Sequence, residues 1–197
     1  MLFRSWLQAG VEEPGRAEKV ELKLPAGIRY EPRPDTSLSE LLASGKIDAV
    51  ISARAPSAFA PGGPVVRLFP DYRAEEERFF QKTGIFPIMH LMTMRRAVFE
   101  QHPWIAMNLY KMFEEAKRRC LDRLADFTCA RVPLPWAAAI TAELIASSGG
   151  DPYPYGIEAS RPTIEAFCRY AHDQGVTHAR MTVDDLFPRE VRGVARV

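Results

Sequence analysis

The sequence predicts an α/β protein with a short, mostly parallel sheet, followed by a helical C-terminal segment. Before about residue 96, short β-branched runs alternate with helix signals, whereas apolar residues recur at helical spacing after it. We therefore expect two regions, residues 1–96 and 97–197. The 197 residues, 47% of them hydrophobic and 26% charged, can bury a core and are typical of a globular protein.

Charge and cysteine content narrow the class of protein. Lysine and arginine number 26 against 25 aspartate and glutamate, so no overall field would attract nucleic acid or an anionic membrane. Cys120, Cys129 and Cys168 lack the spacing of a disulfide framework or a zinc site, which favours a reducing compartment. No apolar run approaches a membrane span of about 20 residues, and no secretory signal is visible at the start. We expect a cytoplasmic protein.

The first half alternates between strand and helix signals. Val20–Leu24 alternates apolar and polar residues and predicts a strand near a sheet edge. Ser37 and Glu40 have the spacing of a capping box and predict a helix over about 38–44, ended by Gly45. The β-branched run Ile47–Ala53 then predicts a strand buried on both faces, as in an αβ step.

Two further strands and one helix complete this half. Val65–Phe69 is a short strand candidate. Asp71 can cap a helix that ends near Gly84. Ile85–Met94 predicts another strand, bent or at an edge where Pro87 cannot donate a hydrogen bond.

The second half shows helical patterns only. A short helix ends before Pro103, which opens a helix of about six turns with one apolar stripe. Pro135 opens the next helix, which ends at Gly149–Gly150. A further helix closes at Gly175, and Thr182 caps a single turn.

Two segments of the first half carry charged or polar groups at predicted turns and strand ends, where open α/β sheets bind ligands. Glu12–Arg16 is one, with a solvated polar turn as the plain alternative. Ser52, Arg54 and Ser57 follow the predicted buried strand. Arg54 can bind a carboxylate through two parallel hydrogen bonds, or it is an ordinary surface arginine.

A third segment of the first half adds an imidazole, and one segment of the second half adds aromatic rings. His90 is either a proton-exchanging group near neutral pH or a satisfied core histidine. Tyr153 and Tyr155 either wall a flat ligand or form a packed surface loop. The usual nucleotide, zinc-protease and serine-hydrolase motifs are absent from the sequence.

Six segments together resemble the 4,5-dihydroxyphthalate decarboxylase family, in the right order and over nearly the whole chain. The combination is far more specific than any single motif. The segments are Glu12–Arg16, Ile47–Pro56, Leu68–Tyr72, Thr83–His90, His102–Trp104 and Tyr153–Ala159.

The resemblance implies a fold and an activity. The family is similar to type II periplasmic binding proteins, with two α/β lobes and the ligand in a cleft, and its members are cytoplasmic enzymes of aromatic degradation. They carry a long N-terminal segment that supplies most of the first lobe and is missing here. We therefore expect residues 1–96 to form a second lobe, and 97–197 to pack on a first lobe supplied by a homo-oligomer or another chain. The alternatives are a solute-binding protein for an aromatic carboxylate and an inactive fragment.

The implied substrate, a catechol with two adjacent carboxylates, assigns roles to residues. Arg16 and Arg54 would hold the carboxylates, with Ser52 and Ser57 beside Arg54. His90 would transfer the proton. The remaining roles fall to Glu13 or Asp71 on the catechol side and to Phe86 or Tyr155 stacking on the ring. No organic cofactor is needed, and a divalent metal chelated by the catechol oxygens stays open.

Overall fold

The computed structural model describes residues 5–192. Residues 1–4 and 193–197 lie outside the described part. The prediction about a secretory signal at the start of the chain includes residues 1–4 and so falls partly outside it. The chain forms two compact units: Met1–Thr83 with Cys168–Arg180, and Gly84–Phe167 with Met181–Val197. The division predicted at residue 96 stays a prediction.

The first unit contains a two-stranded parallel sheet. Strand β1, Trp6–Gly10, pairs with β2, Tyr30–Ser37, and the register shifts between Gln8 and Gly10. The expectation of an α/β protein is confirmed at this level, since helices accompany a small parallel sheet. Neither strand is among those that the sequence predicts, because Pro32 and Pro34 cannot donate ladder hydrogen bonds and disguise β2.

All four predicted strands are wrong. Their backbones are irregular or extended without a strand partner, and Ile51 and Leu68 are 86% and 82% exposed. A β-branched run forms a strand only when a neighbouring strand accepts its backbone hydrogen bonds and covers its side chains. The four are Val20–Leu24, Ile47–Ala53, Val65–Phe69 and Ile85–Met94.

The helices of the first unit follow the sequence closely. Helix α1, Leu38–Ala43, begins after Ser37, whose Oγ accepts a hydrogen bond from the Glu40 amide at 3.2 Å. The Glu40 carboxylate accepts from the Thr36 hydroxyl at 3.0 Å. Helix α2, Tyr72–Thr83, is followed by Gly84 in the left-handed region. The capping residue Ser37 and the helix ending near Gly84 are thus confirmed.

The predicted helices of the second half are also present. Pro103 directly precedes the 22-residue helix α4. Ile157, Ile164, Ala166 and Val183 are the buried apolar residues of the second unit. Helix α6 begins in the second unit and ends in the first. The helices are α3 Arg96–Gln101, α4 Trp104–Ala125, α5 Ala137–Ser147, α6 Ile157–Asp173 and α7 Val183–Leu186.

The helices of the described residues differ from membrane-spanning helices in length or polarity. Within residues 5–192, every helix is too short or too polar to span a bilayer.

Candidate functional site

A carboxylate and two hydroxyls join two of the predicted site segments in the first unit. The Ser57 amide donates to Glu12 Oε1 at 2.7 Å, and the Ser57 hydroxyl donates to Glu12 Oε2 at 2.6 Å. Ser39 Oγ, on helix α1, lies 2.8 Å from Ser57 Oγ and accepts from the Ala58 amide at 3.1 Å. The two Ser57 bonds lower the pKa of Glu12 below its ordinary value.

This cluster changes how Ser57 and Glu12 are understood. Both donors of Ser57 are already bonded to a protein carboxylate, so binding of a substrate carboxylate there requires Glu12 to release them. Sequence reasoning missed Glu12 and chose its neighbour Glu13. The two partners are 45 residues apart, and no local pattern connects them.

Ser52 and Arg54 lie on an exposed turn beside this cluster in sequence. The Ser52 hydroxyl accepts a hydrogen bond from the Arg54 amide at 3.1 Å, which shapes the turn. The Arg54 side chain is exposed, and within residues 5–192 it has no ion pair. The guanidinium therefore retains its donors for an anion, although it does not follow a strand as predicted.

Glycine allows the Glu12–Arg16 segment to fold back on strand β1. A Cβ atom on Gly10 would lie 1.9 Å from the Glu13 carbonyl oxygen, closer than any real contact. Gly15, with φ of +91°, donates its amide to the Pro34 carbonyl at 2.9 Å. These two glycines bring Glu13 and Arg16 against the sheet.

Arg16 lines a cavity of about 340 Å³ within the first unit. This volume falls in the range that small-molecule ligands occupy, roughly 300–1,000 Å³. The guanidinium is the only cation of the lining. The apolar residues of the predicted strand, Val20, Leu22 and Leu24, form one wall, so their shared face exists although the strand does not.

Three polar side chains form another part of this cavity. The Tyr30 hydroxyl donates to Gln8 Oε1 at 2.6 Å, and Gln8 Nε2 donates to Glu18 Oε2 at 3.0 Å. Burial raises the pKa of Tyr30, and the Glu18 charge raises it further. The phenol therefore stays protonated at neutral pH. The cavity thus combines an apolar wall with the Arg16 guanidinium and the Glu18 carboxylate, and Arg16 is the group there that can bind an aromatic carboxylate.

Asp71 has a structural role in helix α2. Its Oδ1 accepts a hydrogen bond from the Ala74 amide at 3.3 Å, as a helix cap. The capping prediction is therefore confirmed. A role for the same carboxylate on the catechol side stays a prediction.

In the second unit, Lys117 of helix α4 holds the loop that carries the paired tyrosines. Its ammonium donates to Asp151 Oδ2 and to the Tyr153 carbonyl, both at 2.9 Å. It also lies 4.4 Å from the centroid of the Tyr155 ring, a cation–π distance. Lys117 is nine-tenths buried. No local sequence pattern indicates this role, because Asp151 is 34 residues away.

The same loop brings Tyr153 against Phe86, one of the two predicted stacking residues. The Phe86 and Tyr153 rings meet edge to face with centroids 6.0 Å apart, and the Phe86 amide donates to the Thr163 hydroxyl at 3.1 Å. The other predicted stacking residue, Tyr155, contacts Lys117. One face of Tyr155 is covered by the Lys117 ammonium, so a ligand ring would have to stack on the opposite face.

His90 lies on the irregular segment between helices α2 and α3, and its side chain is exposed. The interpretation as a core histidine is therefore wrong. An exposed imidazole is accessible for proton exchange with a ligand or with solvent. His90 belongs to the second unit, whereas Glu13, Arg16, Arg54 and Asp71 belong to the first.

Metal ligands are not concentrated at any of these places. Across residues 5–192, histidine, cysteine, aspartate and glutamate side chains form no group of three that would hold a metal ion.

Comparison with known proteins gives two matches and a negative result. The chain is 36% identical to a 4,5-dihydroxyphthalate decarboxylase from Comamonas testosteroni over 184 residues, which are 92% of this chain and 56% of that protein. It is 54% identical to a 4,5-dihydroxyphthalate decarboxylase from Pseudomonas putida over 63 residues, 32% of this chain and 24% of that protein. No family model matches.

The chain thus spans about half the length of the first of these curated relatives and a smaller share of the second. The identities confirm the resemblance that the six motifs indicate. By sequence, the chain is similar to part of two curated 4,5-dihydroxyphthalate decarboxylases.

Proposed function

We propose that the chain belongs to an enzyme that removes one carboxylate from an aromatic catechol dicarboxylate, converting 4,5-dihydroxyphthalate to protocatechuate or a similar pair. The observation that carries this proposal is the similarity to curated decarboxylases over 92% of the chain. The cavity lined by Arg16 supports it, because an apolar wall beside a guanidinium suits the ring and one carboxylate.

The proposed reaction begins with protonation of the ring. Direct loss of carbon dioxide would leave an aryl anion, which is too unstable to form at neutral pH. Instead, the carbon that bears the departing carboxylate accepts a proton while the hydroxyl para to it gives its proton to a base. The resulting dienone loses carbon dioxide, the electron pair of the broken bond restores the aromatic ring as a phenolate, and the base returns its proton to the phenolate oxygen. One proton is consumed overall.

We assign the proton donor to His90, the carboxylates to Arg16 and Arg54, and the catechol side to Glu13. Glu13 is preferred over Asp71 because the Asp71 carboxylate already caps helix α2. No step of this scheme needs an organic cofactor. In this proposal the protein is a cytoplasmic enzyme that does not bind membranes. Its three cysteines fit the reducing conditions of that compartment.

The test is carbon dioxide release from 4,5-dihydroxyphthalate by the full-length protein, with His90→Asn beside the wild type. Loss of a positioned acid typically lowers the rate by about 10²–10⁴-fold, and we expect a fall in this range. The matched control is His102→Asn, since His102 is another exposed histidine of the second unit. Full activity of the His90 variant would show that His90 is not the donor, and an inactive wild type would contradict the reaction itself.

A solute-binding protein for an aromatic carboxylate is the second candidate. It needs the Arg16 cavity alone, and that cavity is complete within the first unit. A wild type that binds the dicarboxylate without releasing carbon dioxide would favour this function.

A further inference from the structure

Arg67 lies between two aromatic rings of the first unit. Its guanidinium carbon is 5.3 Å from the centroid of the Phe59 ring and 4.7 Å from that of the Tyr72 ring. Both distances are within the limit of about 6 Å for a cation–π interaction. Two rings restrict the guanidinium to a narrow range of positions without using its N–H donors.

These donors have no protein acceptor. Within residues 5–192, Arg67 makes no side-chain hydrogen bond and no ion pair. Arg78, an exposed arginine of helix α2, differs in this respect, since its guanidinium donates to Glu75 at 2.5 Å. Arg67 is therefore a positioned cation whose planar set of donors is available to an external anion.

Arg67 also borders a second cavity, which is distinct from the one lined by Arg16. It measures about 390 Å³ and is formed by the turn from Phe59 to Arg67, including Val65 and Val66. Gly62, with φ of +75°, allows the chain to reverse there. The lining is apolar apart from backbone groups and one guanidinium, a composition that suits an aromatic ring bearing a carboxylate.

We propose that Arg67 binds a carboxylate of an aromatic ligand through two parallel hydrogen bonds, with the ring in the cavity beside Phe59. The inference rests on the proposed function for the class of ligand and adds a second site for that class, apart from the Arg16 cavity in which the proposed function places the reacting ring. Phe59 and Tyr72 act as positioning residues, because they hold the guanidinium plane and touch it rather than the carboxylate.

The experiment is calorimetric titration of the full-length protein with phthalate, which has the two carboxylates and lacks the hydroxyls that the reaction needs. With the Arg16 cavity as the other phthalate site, Arg67→Gln should weaken one of the two phthalate affinities by about 10- to 100-fold, the effect of a lost charge-assisted pair. Arg67→Lys retains the charge but loses the planar fork, so we expect an intermediate loss. Phe59→Leu should weaken binding by a few-fold through lost positioning.

Arg78→Gln is the control, because it removes another exposed arginine of the first unit that is already paired, and it should leave the phthalate affinity unchanged. Melting temperatures of all variants show that they are folded. Equal affinities of wild type and Arg67→Gln would overturn the inference, as would a wild type that does not bind phthalate at millimolar concentration.

The outcomes separate this inference from the proposed function. Phthalate binding that depends on Arg67, in a protein that releases no carbon dioxide, contradicts the reaction and supports the arginine site. Carbon dioxide release by a protein whose phthalate affinities are unchanged in Arg67→Gln supports the reaction and contradicts the site.

Discussion

The two units carry their candidate residues in different ways. In the first unit, Arg16, Arg54 and Arg67 lie on turns and irregular segments, with exposed guanidinium groups and cavities beside two of them. In the second unit, a buried lysine on a long helix fixes the aromatic loop. In the first unit, the ligand-facing cations of the proposals are therefore the exposed Arg16, Arg54 and Arg67. In the second unit, Lys117 holds the aromatic loop in place.

This difference shows that positively charged side chains can have different roles, recognition in one unit and stability in the other. A positively charged group with protein partners on every side stabilises a fold, and one without them is available for recognition. Helical position alone does not distinguish the cases, since Lys117 and the exposed Arg118 are neighbours on helix α4.

The largest effect on stability is expected from Lys117→Met. It removes the ammonium that donates to the Asp151 carboxylate, which is only 14% exposed, and breaking a buried pair in this way costs about 3 kcal/mol of the free energy of unfolding. Urea denaturation measures it. Arg118→Met is the matched control, because its pairs with Glu115 and Asp122 are exposed and contribute less than about 1 kcal/mol. Equal losses in the two variants would contradict the difference.

Leu41→Ala tests whether the first unit has a core of its own. Leu41 of helix α1 is 1% exposed, so its truncation should cost about 2 kcal/mol or more. Leu68→Ala, at a position where the sequence predicts a strand, should change the free energy of unfolding by less than about 0.5 kcal/mol. A large loss at Leu68 would mean that this residue is covered by another surface in solution.

Trp136→Gly is expected to stabilise the second unit. Trp136 precedes helix α5 with φ of +61°, a left-handed conformation that costs a residue with a Cβ about 1 kcal/mol, and its side chain is 79% exposed. Glycine removes the strain and loses little packing, so the melting temperature should rise. Trp104→Gly, on the first turn of helix α4, lacks this strain and should lower it.

The smallest effect concerns the pH dependence of the Glu12 cluster. The folded-state pKa of Glu12 is lowered from 4.5, so its hydrogen bonds to Ser57 stabilise the first unit above about pH 4.5 and are lost as pH falls through the lowered value. Thermal melts between about pH 3 and 6 should show a shallower acid destabilisation in Glu12→Gln than in the wild type. Parallel melting curves for the two proteins would contradict this role.

The extent to which the fold could be predicted differs between helices and strands. Helix signals such as Ser37 before α1 and Thr182 before α7 are local, because a capping residue and its partners lie within one turn. The β-branched run Ile47–Ala53 has the right composition and no partner strand. β2 has the partner and the wrong composition, since Pro32 and Pro34 interrupt it.

For the candidate site, too, local motifs can be predicted from the sequence and long-range contacts cannot. Six motifs identified the relationship to the decarboxylases without any coordinates, and Arg16 was recognised as a candidate cation. The sequence does not indicate which carboxylates accept hydrogen bonds from Ser57 and Lys117. Glu12 reaches Ser57 across 45 residues and Lys117 reaches Asp151 across 34, so neither pair leaves a periodic signal.

By itself, the sequence determined the helices, their caps and the family resemblance, because each depends on residues that are neighbours in the chain or on the order of motifs. The tertiary structure decided which extended segments pair as strands, which carboxylates accept from Ser57 and Lys117, and which arginines keep their donors. Those outcomes depend on distant groups competing for the same hydrogen bonds, and only the folded chain brings these groups together.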